Sequence, residues 1–285
     1  MGVLISQGVL MNDHDFTLLQ ALSLPSYDNG TVFTDRSRLE MIIKLSQNTP
    51  YTTCMEESRF LLFAKKPLHD LPQKLVVISS HIDAVEDITS FFAKRVDNET
   101  LCGTFDNTLT NAAAVSLMQE GTLPENVVFA FTANEEQDGL GARDVVSYLK
   151  NFEKEFFAIV LDVTNIGYGK VHHTIENDFW KSASSDAVVR SVLAKTQLPY
   201  RFVCSKAAAP YYIPISYIEL NSDGGVYEAL CDESWTYHEN GIECFSLCIP
   251  TMGEMHTNSG ILCEAKSFPS YKSFVASFAL ALAAQ

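Results

Sequence analysis

Four apolar runs stand out along the 285-residue chain, and each breaks off into residues of one chemical kind. Lys74-Leu-Val-Val-Ile-Ser-Ser leads into His81-Ile-Asp83, and Asn126-Val-Val-Phe-Ala-Phe-Thr-Ala leads through Asn134 to Glu135-Glu136. Phe157-Ala-Ile-Val-Leu ends at Asp162, and Ile242-Glu-Cys-Phe-Ser-Leu-Cys-Ile leads through a short loop to His256. Runs this short, rich in Val, Ile and Phe and without polar alternation, predict strands buried on both faces, as in a mostly parallel sheet covered by helices. Ligands of such sheets sit beyond the carboxyl ends of the strands, so the His, Asp and Glu residues are expected on one rim.

Between these runs the pattern changes period. Residues 12–23 and 35–45 place apolar side chains at helical spacing, with Pro25 closing the first segment. Tyr51 to Glu56 and Arg59 to Ala64 read as two strands around a tight polar turn, and Lys65 to Gln73 as a loop that leaves His69 on the surface. The 22 residues between Asp83 and Asp106 hold an apolar patch, Phe91-Phe-Ala, and a hairpin through Asp97-Asn-Glu-Thr. A helix follows with Asp106 or Asn107 at its cap, and another runs from Gly139 to Lys150. Beyond Asp162 come a turn at Gly167-Tyr-Gly-Lys, a strand from Val171, a helix from Ser182 to Lys195 and a strand from Tyr200 to Cys204. Ser222-Asp-Gly-Gly-Val-Tyr-Glu-Ala-Leu reads as a loop entering a helix. Phe268 to Ala284, apolar almost all round, reads as a terminal helix on one side of the sheet. His172 and His173, as neighbours on a strand, point to opposite faces and cannot serve one site. The alternation predicts an α/β protein, a three-layer α/β/α domain over residues 1–285 with a mixed, mostly parallel central sheet. No room is left for an inserted lid or dimerisation domain.

Composition narrows the partners. A formal charge of −15 argues against nucleic acid and against anionic membrane surfaces, both of which demand a basic face. No apolar run approaches the length of a membrane span, and the first residues lack the basic flank and cleavage pattern of a signal peptide. Seven cysteines, an odd number with no C-x-x-C pair, are expected to be reduced thiols in a cytoplasmic protein.

The strand-end residues then supply a chemistry. Zinc accepts imidazole and carboxylate, and a pair of ions about 4 Å apart needs one carboxylate to bridge them, with a His and a further carboxylate on each side. Two zinc ions against three carboxylates leave a single positive charge, which a bridging hydroxide neutralises, and such a hydroxide is a nucleophile near neutral pH. It needs a proton acceptor that is not consumed as a ligand. Glu135, beside the ligand Glu136, is placed for that. Cobalt and manganese accept the same set as zinc. Each motif alone is commonplace; their order on four successive strand ends is not.

The series His81-Ile-Asp83, Gly103-Thr-Phe-Asp106-Asn107, Glu135-Glu136-Gln-Asp-Gly139-Leu-Gly141-Ala142, Asp162-Val-Thr and His256 resembles the co-catalytic zinc aminopeptidases and related carboxypeptidases. The resemblance covers about residues 74 to 260 and implies a phosphorylase/hydrolase-like fold. It implies that His81 and Asp162 hold one metal, Glu136 and His256 the other, and that Asp106 bridges. Asp83 would fix the tautomer of His81, Glu135 would be the general base, and Asp106-Asn107 would be a non-proline cis peptide. Asp162-Val-Thr and Ser222-Asp-Gly-Gly resemble the glutamyl-aminopeptidase, or tetrahedral aminopeptidase, group. Without that group's inserted domain the chain is also similar to the single-domain bacterial double-zinc aminopeptidases. It departs from the pattern at Phe105, where a small residue often precedes the bridging Asp, and at Thr110, where Gly is common.

The expected activity is a metal-dependent exopeptidase acting on a peptide or small amide, with the oligomeric state, homo-oligomer included, left open. From Ala207 to Ala265 there is no Lys or Arg to pair a substrate's terminal carboxylate, whereas Glu219, Asp223, Glu228 and further acids could meet an α-amine, which favours an aminopeptidase. A carboxypeptidase or deacylase, a one-zinc glutaminyl-cyclase-like enzyme and a non-catalytic scaffold of the transferrin-receptor kind are the alternatives.

Overall fold

The computed structural model describes residues 10–28, 33–57, 59–195, 200–203 and 232–285. In chain order the elements are α1 (Asp13–Leu22), β1 (Tyr27–Asp28), β2 (Phe33–Asp35), α2 (Ser37–Ser46), β3 (Thr52–Glu56), β4 (Phe60–Ala64) and β5 (Lys74–His81). There follow β6 (Ala93–Arg95), β7 (Thr100–Gly103), α3 (Thr108–Glu120), β8 (Val127–Thr132), α4 (Leu140–Asn151) and β9 (Glu155–Thr164). The chain continues with β10 (His173–Phe179), α5 (Ala183–Lys195), β11 (Tyr200–Val203), α6 (Glu233–Glu239), β12 (Glu243–Met252), β13 (Ile261–Glu264) and α7 (Ser267–Ala283).

The four apolar runs become β5, β8, β9 and β12, and they lie side by side in the order β8-β5-β9-β12, all mutually parallel. Antiparallel strands extend this centre on both sides, β4 and β3 beyond β8, and β13, β7 and β6 beyond β12. The absence of alternation in these runs has a direct structural cause. Val76, Ile78, Phe129, Phe131, Ile159, Leu161, Phe245 and Leu247 face one core, shared with α1, α2, α3, α5 and α7. Their neighbours Leu75, Val77, Val128, Ala130, Ala158, Val160 and Cys244 face a second core, shared with α4 and α6. Helices therefore cover both faces, which makes the expected three layers.

Several boundaries differ from those read in the sequence. β9 does not stop at Asp162 but continues through Val163 and Thr164, because both still pair with Ile249 and Pro250 of β12. Of the two cap candidates Asn107 is the one at the start of α3, although its side chain makes no capping bond there. The short pair β1–β2 and the strand β13 were not evident in the pattern. The segment from Ser222 to Leu230 lies outside the described residues. Among the described cysteines, Cys54, Cys102, Cys244, Cys248 and Cys263 are free thiols. No helix among the described residues is long and apolar enough to cross a membrane.

Candidate metal and catalytic site

The carboxyl ends of the central strands deliver the candidate residues to one place. His81 closes β5, Asp162 lies near the end of β9, and Glu135 and Glu136 occupy the turn between β8 and α4. Asp106 lies between β7 and α3, and His256 in the loop from β12 to β13, with left-handed backbone at φ 60°. The peptide from Asp106 to Asn107 is cis. Local packing explains these positions. Asn107 turns its side-chain amide to the Leu161 carbonyl at 2.8 Å, which ties the start of α3 to β9. Asn111 donates to the His81 carbonyl and to Ser80 Oγ, both at 2.7 Å, which ties the same helix to β5. Thr110, fully buried, has its hydroxyl 2.9 Å from Ser80 Oγ, and Phe105 fills the core beneath Gly103, so both departures from the resembled pattern are absorbed by packing.

The imidazole Nε2 of His81 lies 3.2 Å from Asp106 Oδ1 and 3.8 Å from both Asp162 Oδ1 and Glu135 Oε2. Nε2 of His256 lies 3.1 Å from Asp106 Oδ2 and 3.4 Å from Glu136 Oε2. Each oxygen of Asp106 thus faces a different histidine. His81, Asp106 and Asp162 form one group able to hold a cation, and Asp106, Glu136 and His256 form a second; a third joins His81 to Glu135 and Glu136. On the far side of the His81 ring, Nδ1 is 3.5 Å from Asp83 Oδ1, longer than a good hydrogen bond, while Asp83 Oδ2 accepts the Glu136 amide at 3.2 Å.

The electrostatics of this cluster call for positive charge. Burial, reinforced by Asp162, Glu136 and Asp106, pushes the Glu135 carboxyl well above the usual range. Burial and Asp106 raise Glu136 to about 8, and burial raises Asp162 to about 6. Asp106 is the exception: burial would raise it, but hydrogen bonds from His256 and His81 hold it below the usual carboxylate range. His256 is in turn raised to about 9 by its bond to Asp106. Carboxylates crowded out of water and shifted towards neutrality, with imidazole nitrogens turned to them, are a donor set that fits divalent metal ions. The residues present therefore fit the metals the sequence points to.

Residues that sequence reasoning did not place behind the metal rim support it. Asp28, in β1, accepts the Asn134 amide at 2.9 Å and its side-chain amide at 3.4 Å. Arg38 is fully buried in α2 and donates to the Leu24 and Ile82 carbonyls, within the field of Asp83, Asp106 and Glu136. Glu233 of α6, also buried, accepts from Ser79 Oγ on β5 at 2.9 Å. Buried polar residues leave no mark on hydrophobic periodicity, so nothing in the sequence set them apart from surface ones. His69 is exposed, and His173 is buried against the Phe274 ring, 3.6 Å between centroids, on the α7 side of the sheet.

Beside His256 a shallow pocket opens, walled by Val85, Ile88, Phe105, Met255 and Ile261. Its ionisable lining residues are the acids Asp106, Glu136 and Glu254 and the imidazole of His256, with no Lys or Arg among the described lining.

The family model for Peptidase family M20/M25/M40 matches residues 77–263. No curated protein matches the chain. Among solved structures, a TET aminopeptidase from a marine sediment Thaumarchaeota archaeon is similar with a TM-score of 0.66 at 12% identity, over 94% of this chain and 97% of that one. The Pyrococcus horikoshii TET1 peptidase, which can assemble into a tetrahedron or a large octahedral shell, is similar with a TM-score of 0.64 at 11% identity, over 93% and 99%. The LapA aminopeptidase of Legionella pneumophila gives 0.61 at 16% identity, over 96% and 71%.

Proposed function

The chain belongs to peptidase family M20/M25/M40 and is a hydrolytic metallo-exopeptidase by that membership; on this premise we propose that it is an aminopeptidase with a two-metal site. In this reading His81 and Asp162 hold one ion, Glu136 and His256 the other, Asp106 serves both, and zinc is the first choice. The assignment rests on Asp106, whose two oxygens face two different histidines. The third group, His81 with both glutamates, would leave Asp162 and His256 without a role. Ions bound there would polarise a scissile carbonyl and lower the pKa of water.

Glu135 takes the proton. It has no part in the two groups that share Asp106, and it stands beside the ligand Glu136 with its carboxylate 3.8 Å from His81 Nε2, so it is left free to accept a proton at the site. From the same position it can pass the proton to the leaving amine nitrogen. Asp83, 3.5 Å behind the His81 ring, is placed to steady it by charge, and it holds the turn that carries both glutamates through the Glu136 amide.

The observation that carries the choice of peptide end is the pocket beside His256. Glu254 is the acid of its lining left over once Asp106 and Glu136 are given to the metals, and no Lys or Arg stands among the described lining, so the pocket can meet an α-ammonium group but offers no basic side chain to pair a terminal carboxylate. The chain should release residues from peptides with a free amino end and leave N-acetylated copies of the same peptides intact. Trimming of blocked peptides from a free carboxyl end, with free-amine substrates untouched, would overturn this choice and leave the metal site in place. TET1 peptidase self-assembles, and we extend a homo-oligomeric state to this chain; sedimentation analysis tests it.

A further inference from the structure

The residues ahead of the family-matched region, which begins at residue 77, reach into the site from outside it. The segment 24–28 runs past the carboxyl ends of β5 and β8 and bonds to both. The Ser26 carbonyl accepts the Ala84 amide at 2.9 Å. Arg38, fully buried, links the Leu24 carbonyl at 3.2 Å to the Ile82 carbonyl at 3.1 Å. The residues on either side of Asp83 are thereby fixed to this segment.

The bond to the second strand end has greater consequence. Asn134 immediately precedes Glu135, adopts left-handed backbone at φ 65° and is the hub of the turn. Its carbonyl accepts the amides of Asp138 at 3.1 Å and Gly139 at 2.7 Å. Its own amide and side-chain amide both go to the Asp28 carboxylate, which is 6% exposed. A carboxylate shielded from water makes stronger bonds to such donors than one in solvent, and a turn held at its hub presents its next side chain in one direction.

We propose that Asp28 is a positioning residue for the reaction, acting through Asn134 to aim Glu135 at the substrate and Glu136 at its metal. This rests on the role of Glu135 given above. A residue that orients a ligand or base from behind typically contributes 10- to 100-fold, and the error it prevents is one of direction rather than of folding.

The test compares Asp28→Ala and Asp28→Asn with the wild-type chain, each loaded with zinc. Asp28→Ala should lower kcat on an unblocked substrate by about 10- to 100-fold with little change in KM. Asp28→Asn keeps one acceptor for the Asn134 amide and should recover most of the loss, and it carries the comparison if the alanine variant does not fold. Hydrogen exchange gives a readout independent of activity. Amides in residues 134–139 should exchange faster in Asp28→Ala while those of β5 and β9 keep their protection. Exchange raised evenly through the chain, with kcat per folded molecule unchanged, would assign Asp28 to stability alone and overturn the proposal. The outcome is separable from the role of Glu135. An inactive Glu135→Gln beside a fully active Asp28→Ala with unaltered turn exchange removes this inference only, whereas an active Glu135→Gln removes the reading beneath it.

Discussion

A carboxylate in water is too weak a base for peptide hydrolysis, and Glu135 is shielded from water, its side chain only 11% exposed. In the proposed mechanism, replacing it with Gln removes the proton acceptor and leaves the rest of the site in place. Glu135→Gln should keep its metal content and its melting temperature but lose several orders of magnitude in kcat, because only proton transfer is removed. Near-normal turnover would contradict the assignment. A second buried acid, remote from proton transfer, shows the opposite use of burial. Asp178 on β10 is 1% exposed, its carboxylate has no partner among the described residues beyond its own backbone amide, and burial pushes its carboxyl up to about 8. Its unfolded value is near 3.9. With the folded value the higher, the unfolded chain releases the proton first, and stability falls as pH climbs from about 4 towards 8. Asp178→Asn, neutral throughout, should gain on the wild type over that range, with a melting-temperature difference larger at pH 8 than at pH 5 by at least ~2–4 °C. An equal difference at both pH values would sink the argument. At this scale His81, Glu136, Asp162 and His256 drew notice through their order on successive strand ends rather than one by one, and Asp106 through the family resemblance; the structure brings all of them to one place. Asp28, Arg38 and Asp178 were not legible, because a buried charge and a solvated one look alike in a sequence.

Whether an element could be read depended on its length. β5, β8, β9 and β12 announced themselves through unbroken apolar runs that the second core explains residue by residue. β1, β2 and β13 span two to four residues, too few to display a period. The glycines after Glu135-Glu136 acquire a reason from the structure. A Cβ on Gly141 would lie 2.5 Å from the Ala133 carbonyl and 2.7 Å from the Arg59 carbonyl, so α4 can approach the end of β8 only where a side chain is missing. Gly141→Ala should displace α4 from Ala133 and with it the turn bearing both glutamates. The expected cost is ~1–3 kcal/mol of stability by denaturant titration, together with reduced turnover. Unchanged stability would mean that α4 is free to move, contrary to the packing described.

Across the whole molecule, one sheet brings together residues separated by 175 positions, from His81 to His256, and leaves them in a chain of net charge −15. Cations bound at the rim would relieve a concentration of acids that folding alone leaves unbalanced. The arrangement places Asp106 at the centre, so its loss should not resemble the loss of either histidine. The direct measurement is zinc content by elemental analysis after dialysis, on the wild type and on Asp106→Ala, His81→Ala and His256→Ala. The account predicts two ions per chain in the wild type, mainly one lost from each histidine variant, and both lost from Asp106→Ala. Equal stoichiometry in all three variants, or one ion in the wild type, would contradict it.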